Sequence, residues 1–388
     1  MINRPVGIYI NWASYDELSD NVELTEPLAL RQLAELSRLR RHGVQINYYL
    51  MDAFWYAPDG GYRTWRKPHW PAGPDRWLDE CRREGVLPGL WFTVNCLCKM
   101  EQFPAWADSF DSDTGTYCCF TGGFLSHFVE TLHIWYGRGV RMFKFDFARF
   151  DGAPVALRQT MLPSDVRTAN IAAWRGAMAA FKAAHLDVIF LAYNGYEEFP
   201  IQQGTSVPVR KAVDSRWLDV FDTMYCGDPR PADVPMMNFW RSKDVYSDHM
   251  VRFYMANGLP ASRIDNTAFM VGRTGTCYKR GAAAWQGMLL LSLARGGWAN
   301  TYYGNLDLLD DAKAEWFARA QALFMPLQSS AELRTLGGMP GDTVPYGFAF
   351  HQGADAVATV VNPGQQVGVL PMSIPGPSRI IFRDAGFD

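Results

Sequence analysis

The chain has 388 residues, 48% hydrophobic and 20% charged, with a formal net charge of −3. That balance allows a large core and excludes a disordered chain. No basic patch argues for nucleic acid, and no apolar run approaches the roughly 18 residues of a membrane span.

In chain order, VGIYINW (6–12) is the first strand-like run, and ALRQLAELSRLRRHG after it has helical spacing and closes on Gly43. INYYLMDAFW (46–55) is followed by DRWLDECRREG, closed by Gly85. LPGLWFTVN (87–95) leads to SHFVETLHIWYGRG, and RMFKFDFARF (141–150) to NIAAWRGAMAAFKAAH. DVIFLAYNG (187–195) precedes a weak connection around VRKAVDSRW. LDVFDTMYCG (218–227) leads to SDHMVRFYMANG, IDNTAFMVG (264–272) to AAAWQGMLLLSLARGG, and WANTYYGN (298–305) to DAKAEWFARAQALF. Eight strand–helix alternations predict a (β/α)8 TIM barrel. Past Phe324, PYGFAFHQGADAVATVVNPGQQVGVLPM alternates with Gly and Pro punctuation and predicts a small antiparallel β domain. The expected division is a barrel over 1–326 and a β domain over 327–388, joined near SSAELRTLGGMPGD.

The N-terminus, MINRPVGIYINW, has no signal-peptide pattern, and the seven Cys follow no disulfide or zinc-finger spacing. Both point to free thiols in the cytoplasm. The sequence leaves a homo-oligomer open.

In such barrels the chemistry sits at the C-terminal ends of the strands. Within RMFKFDFARF, Lys144 and Asp146 share one face of a strand, with Phe145 and Phe147 opposite. The other strand ends carry Asn11 and Trp12, Asp52 and Trp55, Asn95, Asn194, Asp228 with Arg230, Arg273, and Asn305. No His stands at these ends, which argues against a metal hydrolase. Only VGRTGT resembles a phosphate-binding glycine loop, and there is no nucleophile elbow.

Paired carboxylates among amides, arginines and indoles suit glycoside hydrolysis, which needs one acid to attack or activate water and another to protonate the departing oxygen. Asp146 is the candidate nucleophile, with Lys144 beside it as a favourable opposite charge. Asp228, directly after the sixth strand, is the leading proton donor; Asp244 and Asp222 are its rivals. Asp52, Lys144, Trp55, Trp12, Asn194, Arg230 and Arg273 are the candidate sugar contacts, and Trp91 and Tyr193 are further aromatic candidates. No cofactor or metal is called for.

YLMDAFWY (49–56), GLWF (89–92) and FKFDF (143–147), in that order, resemble strand motifs of glycoside hydrolase clan D. That clan holds the retaining α-galactosidases and α-N-acetylgalactosaminidases of families 27 and 36, whose motifs run like I-D-D-G-W, G-L-W-F and K-x-D. The resemblance implies Asp146 as nucleophile and Lys144 as a galactose contact. YCGDP (225–229) is similar to the W-x-S-D-N motif of family 36 and to the G-D of family 31, which implies Asp228 as acid/base. FWRSKD (239–244) is similar to the W-R-x-x-x-D of family 27 but one residue shorter, which keeps Asp244 in play. The clan's paired Asp, which grips the 4- and 6-hydroxyls of galactose, is here Asp52 followed by Ala53. The sugar is therefore open among galactose, N-acetylgalactosamine, L-arabinopyranose and others. With its first strand near residue 6, the chain is expected to be closer to family 27 in size.

The expectation is a retaining, exo-acting α-glycoside hydrolase of the α-galactosidase type, acting on a carbohydrate and requiring neither nucleic acid nor membrane. The alternatives are a carbohydrate-binding barrel without catalysis and a sugar-phosphate lyase or isomerase.

Overall fold

The structure is a computed structural model that describes residues 4–12, 24–53, 55–98, 101–196, 213–225, 245–272, 280–281, 285–340, 342, 344–362, 364, 366–372, 377–383 and 386–387. Its strands are β1 (Val6–Ile10), β2 (Tyr48–Met51), β3 (Leu87–Thr93), β4 (Met142–Asp146), β5 (Ile189–Ala192), β6 (Thr223–Met224), β7 (Asn266–Gly272) and β8 (Ala299–Gly304). Its main helices are α1 (Glu26–Arg41), α2 (Asp75–Arg83), α3 (Phe124–Gly137), α4 (Pro163–Ala184), α5 (Val245–Ala256), α6 (Trp285–Ala294) and α7 (Asp311–Ser330). This is the (β/α)8 barrel fold followed by a small antiparallel β unit. No described helix is long and apolar enough to cross a membrane.

By internal packing the chain forms two compact units, one containing Tyr48–Tyr225 and the other Asn3–Leu18, Gln32–Asn47 and Cys226–Asp388. In the first, β2, β3, β4, β5 and β6 pair in parallel, in that order. The register sets Trp91 opposite Lys144 and Thr93 opposite Asp146. Alternation along β4 sends Phe143 and Phe145 into a fully buried aromatic layer, where Phe145 meets Trp174 at 5.5 Å and Phe190 at 5.0 Å. Lys144 and Asp146 take the other face, as the strand period predicts. Gly85, at φ 64°, ends the α2 turn. Helix α4 starts earlier than its periodic core suggests, because Pro163 occupies its first turn, where a missing N–H costs nothing.

In the second unit β8 lies between β1 and β7, all parallel. A meander of β9 (Glu332–Gly337), β10 (Tyr346–Gln352) and β11 (Asp355–Val361) completes it.

Three expectations change. The segment SSAELRTLGGMPGD is not a plain linker: it contains β9, and α7 runs through residue 326, so the expected 326/327 junction falls inside a helix. The sixth strand is only two residues long, because the chain before it forms a 3-10 turn, Ser215–Asp219, capped by the Asp214 carboxylate on the Arg216 N–H. Phe147 leaves the face it was expected to share with Phe145. The strand stops at Asp146, and Phe147 turns to φ 51°.

Candidate active site

The first unit gathers a buried polar cluster at the C-terminal ends of β2 to β5. Asp146 is the last residue of β4 and is 6% exposed. Its Oδ1 accepts three N–H groups: the Phe147 amide at 2.9 Å, the Asn194 amide at 3.1 Å and the Asn194 side-chain Nδ2 at 2.8 Å. Its Oδ2 accepts from Trp91 Nε1 at 3.1 Å. Two of these four donors are main chain, so the carboxylate is oriented largely by the backbone. The loading is unequal, and Oδ2 is the oxygen with lone-pair capacity to spare.

One step deeper, the Lys144 ammonium donates to Asp52 Oδ2 at 2.7 Å, with both side chains buried. Asp52 Oδ1 accepts the Ala53 amide at 2.8 Å. Burial pushes the Asp52 carboxyl above the usual carboxylate range, Lys144 pulls it back, and the Asp146 charge adds to the rise. The Lys144 ammonium also sits 3.9 Å from the centre of the Tyr193 ring, which stacks on Tyr225 at 4.3 Å. An ammonium has three donors, and Asp52 takes one of them among the described residues, so donors remain for hydroxyl groups.

The loops after β4 and β5 are tied together around Asp146. Ala148 N–H donates to Asn194 O at 3.0 Å. Gly195 has φ 103°, and a Cβ there would lie 2.0 Å from Ala148 O, so only glycine permits this approach. Asn95 is consumed in the same scaffold: Oδ1 accepts the Arg149 amide at 2.9 Å and Nδ2 donates to Tyr117 O at 2.8 Å. The Cys96 thiol donates to Phe147 O at 2.8 Å, and burial pushes that thiol up to about 12.

Of the residues singled out in the sequence, Asp52, Lys144, Asp146 and Asn194 come together here. Trp55 does not join them, which corrects its reading as a sugar platform. It is fully buried, its indole N–H donates to Trp91 O at 2.7 Å, and its ring is packed by Trp65, Phe92 and Trp135. Tyr193 is likewise a buried support beneath Lys144.

Asp222 is no proton donor for this cluster. Its Oδ2 accepts Lys182 Nζ at 2.6 Å and the Phe190 amide at 2.8 Å, which braces α4 against β5. Trp12 follows β1 in the other unit and is partly exposed. Asp228, Arg230, Arg273 and Asp244 lie outside the described residues. Trp91 is the contact that counting strand ends missed. Parity was the available signal, since its register partner is Lys144 and both therefore point to one side.

Among the described residues no cluster of three or more His, Cys, Asp and Glu side chains is arranged to hold a metal ion. What the cluster offers is an oriented carboxylate with one oxygen free to attack, beside a buried ammonium and carboxylate able to hold hydroxyls.

No protein-family model and no curated protein sequence matches the chain. Solved structures do. An α-galactosidase from Lactobacillus brevis is similar with a TM-score of 0.67 at 12% identity, over 99% of this chain and 48% of that one. A GH36 α-galactosidase from Geobacillus stearothermophilus is similar with a TM-score of 0.65 at 12% identity, over 92% of this chain and 47% of that one. An α-amylase from Lactobacillus plantarum is similar with a TM-score of 0.56 at 12% identity, over 97% of this chain and 92% of that one. The chain spans about half the length of the two α-galactosidases. Its fold is that of the α-galactosidase-like barrels of glycoside hydrolase clan D.

Proposed function

We propose that the protein is a retaining, exo-acting α-glycoside hydrolase of the α-galactosidase type. The observation that carries this reading is the Asp146 carboxylate, buried at a barrel strand end and gripped on one oxygen by three N–H groups. Oδ2 attacks the anomeric carbon and forms a glycosyl ester, while a second acid protonates the leaving oxygen. Asp228 takes that role, with Asp244 as its rival. The same acid then removes a proton from water, which releases the sugar with its configuration kept. Trp91 Nε1–H, on Oδ2, steadies the charge as it moves off the carboxylate and onto it again.

Lys144 and Asp52 bind hydroxyls of the sugar, and Asn194 holds Asp146 in line. Trp12, Arg230 and Arg273 are proposed as further substrate contacts, with the barrel over 1–326 as the catalytic part and 327–388 as a β domain. GH36 enzymes of similar fold are known in complex with raffinose and stachyose, which supports an α-galactosyl carbohydrate as substrate here. The described Cys81, Cys96, Cys98, Cys118 and Cys119 are all free thiols, in keeping with a cytoplasmic location.

The test is a panel of aryl α- and β-glycosides, followed by mass spectrometry of enzyme trapped with a fluorinated substrate. Label on the peptide containing Asp146, together with loss of turnover in Asp146→Asn by at least about 10³-fold, is expected. Binding of sugars with no turnover of any aryl glycoside would mean a carbohydrate-binding barrel instead.

A further inference from the structure

Phe147 directly follows Asp146, yet it has the backbone of a glycine, at φ 51°. A bulky side chain in this left-handed region is disfavoured by about 1–2 kcal/mol. Two hydrogen bonds maintain it: the Phe147 N–H on Asp146 Oδ1 and the Cys96 thiol on Phe147 O. Glycine would satisfy both bonds without strain, so the backbone does not account for the ring.

The core does not account for it either. The ring is 41% exposed, whereas Phe143 and Phe145 of the same stretch are fully buried. It lies edge-on to Trp91 at 6.0 Å, on the side where Trp91 donates to Asp146. Exposure therefore rises through the cluster, from Asp52 at 1%, Lys144 at 4% and Asp146 at 6% to Phe147 at 41%. A sugar held by Lys144 and Asp52 sits at the inner end of that gradient. Whatever is attached to it extends past Asp146 toward solvent, along the Phe147 ring.

We infer that Phe147 is the contact for the leaving group, an apolar wall that selects substrates whose aglycone presents an aromatic or otherwise apolar face. The inference rests on the hydrolase reading and deepens it. A flat apolar group packed on the ring gains through dispersion and removal of water, as aromatic pairs do. Part of that binding survives in the transition state, so the effect falls on kcat/KM for substrates with such a group. A leaving group of one atom does not reach the ring.

The experiment compares 4-nitrophenyl α-galactoside with α-galactosyl fluoride in wild type, Phe147→Ala and Phe147→Gly. The expected result is a loss of kcat/KM on the aryl substrate about tenfold greater than on the fluoride, carried mainly by KM. Thermal melting serves as the second readout, and Phe147→Gly is expected not to lower the melting temperature, since it removes strain and an exposed ring. Equal losses on the two substrates, or a drop in melting temperature that accompanies them, would overturn the inference and make the ring a support for Asp146. If the wild type turns over neither substrate, the hydrolase reading fails instead. Calorimetry of 4-nitrophenyl α-galactoside against free galactose then reads the contact directly: a preference for the aryl compound that Phe147→Ala abolishes supports it, and equal binding overturns it.

Discussion

Lys144 Nζ lies 2.7 Å from Asp52 Oδ2, and the two side chains are 5% and 2% exposed. Such a pair is held together by the cost of separating it more than by its own net attraction, since removing one partner leaves a bare charge in the interior. Lys144→Met is therefore expected to lower stability by about 3–5 kcal/mol. Adding Asp52→Asn to that variant should restore a large part of the loss, although both proteins lose sugar binding. Urea denaturation of the two single variants and the double variant measures the coupling. Simple additivity of the two costs would contradict it.

The rise of the Asp52 carboxyl above the ordinary range sets a pH dependence. Protonation of Asp52 releases Lys144 from its partner, and it occurs at a higher pH than for an exposed aspartate. As pH falls, KM should therefore climb earlier than an ordinary carboxylate would cause, and Asp52→Asn should erase that limb while raising KM throughout. Stability follows the same sign. The folded protein holds this proton more tightly than the unfolded chain, so the contribution of Asp52 is fullest below the unfolded value and is lost as pH rises through the folded one. An acid limb of KM that is identical in Asp52→Asn would rule out this role.

Trp91 Nε1–H is the only donor on Asp146 Oδ2 among the described residues. A hydrogen bond to a charged group contributes roughly 1.5–3 kcal/mol, so Trp91→Phe should slow turnover by about tenfold to a hundredfold. The ring volume largely remains, and circular dichroism should be unchanged. Rapid-quench measurement of glycosyl-enzyme formation tells whether the loss falls on the attacking step.

Gly195→Ala is expected to act through Asn194 without touching substrate. The new methyl would fall 2.0 Å from Ala148 O at a backbone φ of 103°, so the loops after β4 and β5 must part. The strain costs about 1–3 kcal/mol in addition to the overlap. Because Asn194 supplies two of the three N–H groups on Asp146 Oδ1, kcat should fall further than the loss of folded protein explains. Activity normalised to the folded fraction, measured by melting and turnover on one sample, separates the two.

The barrel was legible because alternation along strands and capping at helix ends are local properties. Phe143, Lys144, Phe145 and Asp146 alternate as written, and Gly85 ends α2 where the sequence puts it. Asp52 and Asp146 were found by the rule that chemistry collects at strand ends.

The misses are of a different kind. Trp55 looked accessible from its place in the chain, but burial depends on partners such as Trp65 and Trp135 that come from distant segments. Asp222 has the right parity, yet Lys182 of α4, 40 residues away in sequence, claims its carboxylate. Phe147 broke the alternation because the strand ended one residue before it, and a positive φ in a phenylalanine has no signature in composition.

Because residues 147 and 194 anchor Oδ1 through their main-chain amides, the plane of the Asp146 carboxyl group is fixed by the barrel rim and not by a rotamer choice. A glutamate here would carry its oxygens one methylene beyond those amides and forfeit the anchor. The rim is thus cut to the length of an aspartate, and the bearing of the reactive lone pair stays the same for every molecule that enters.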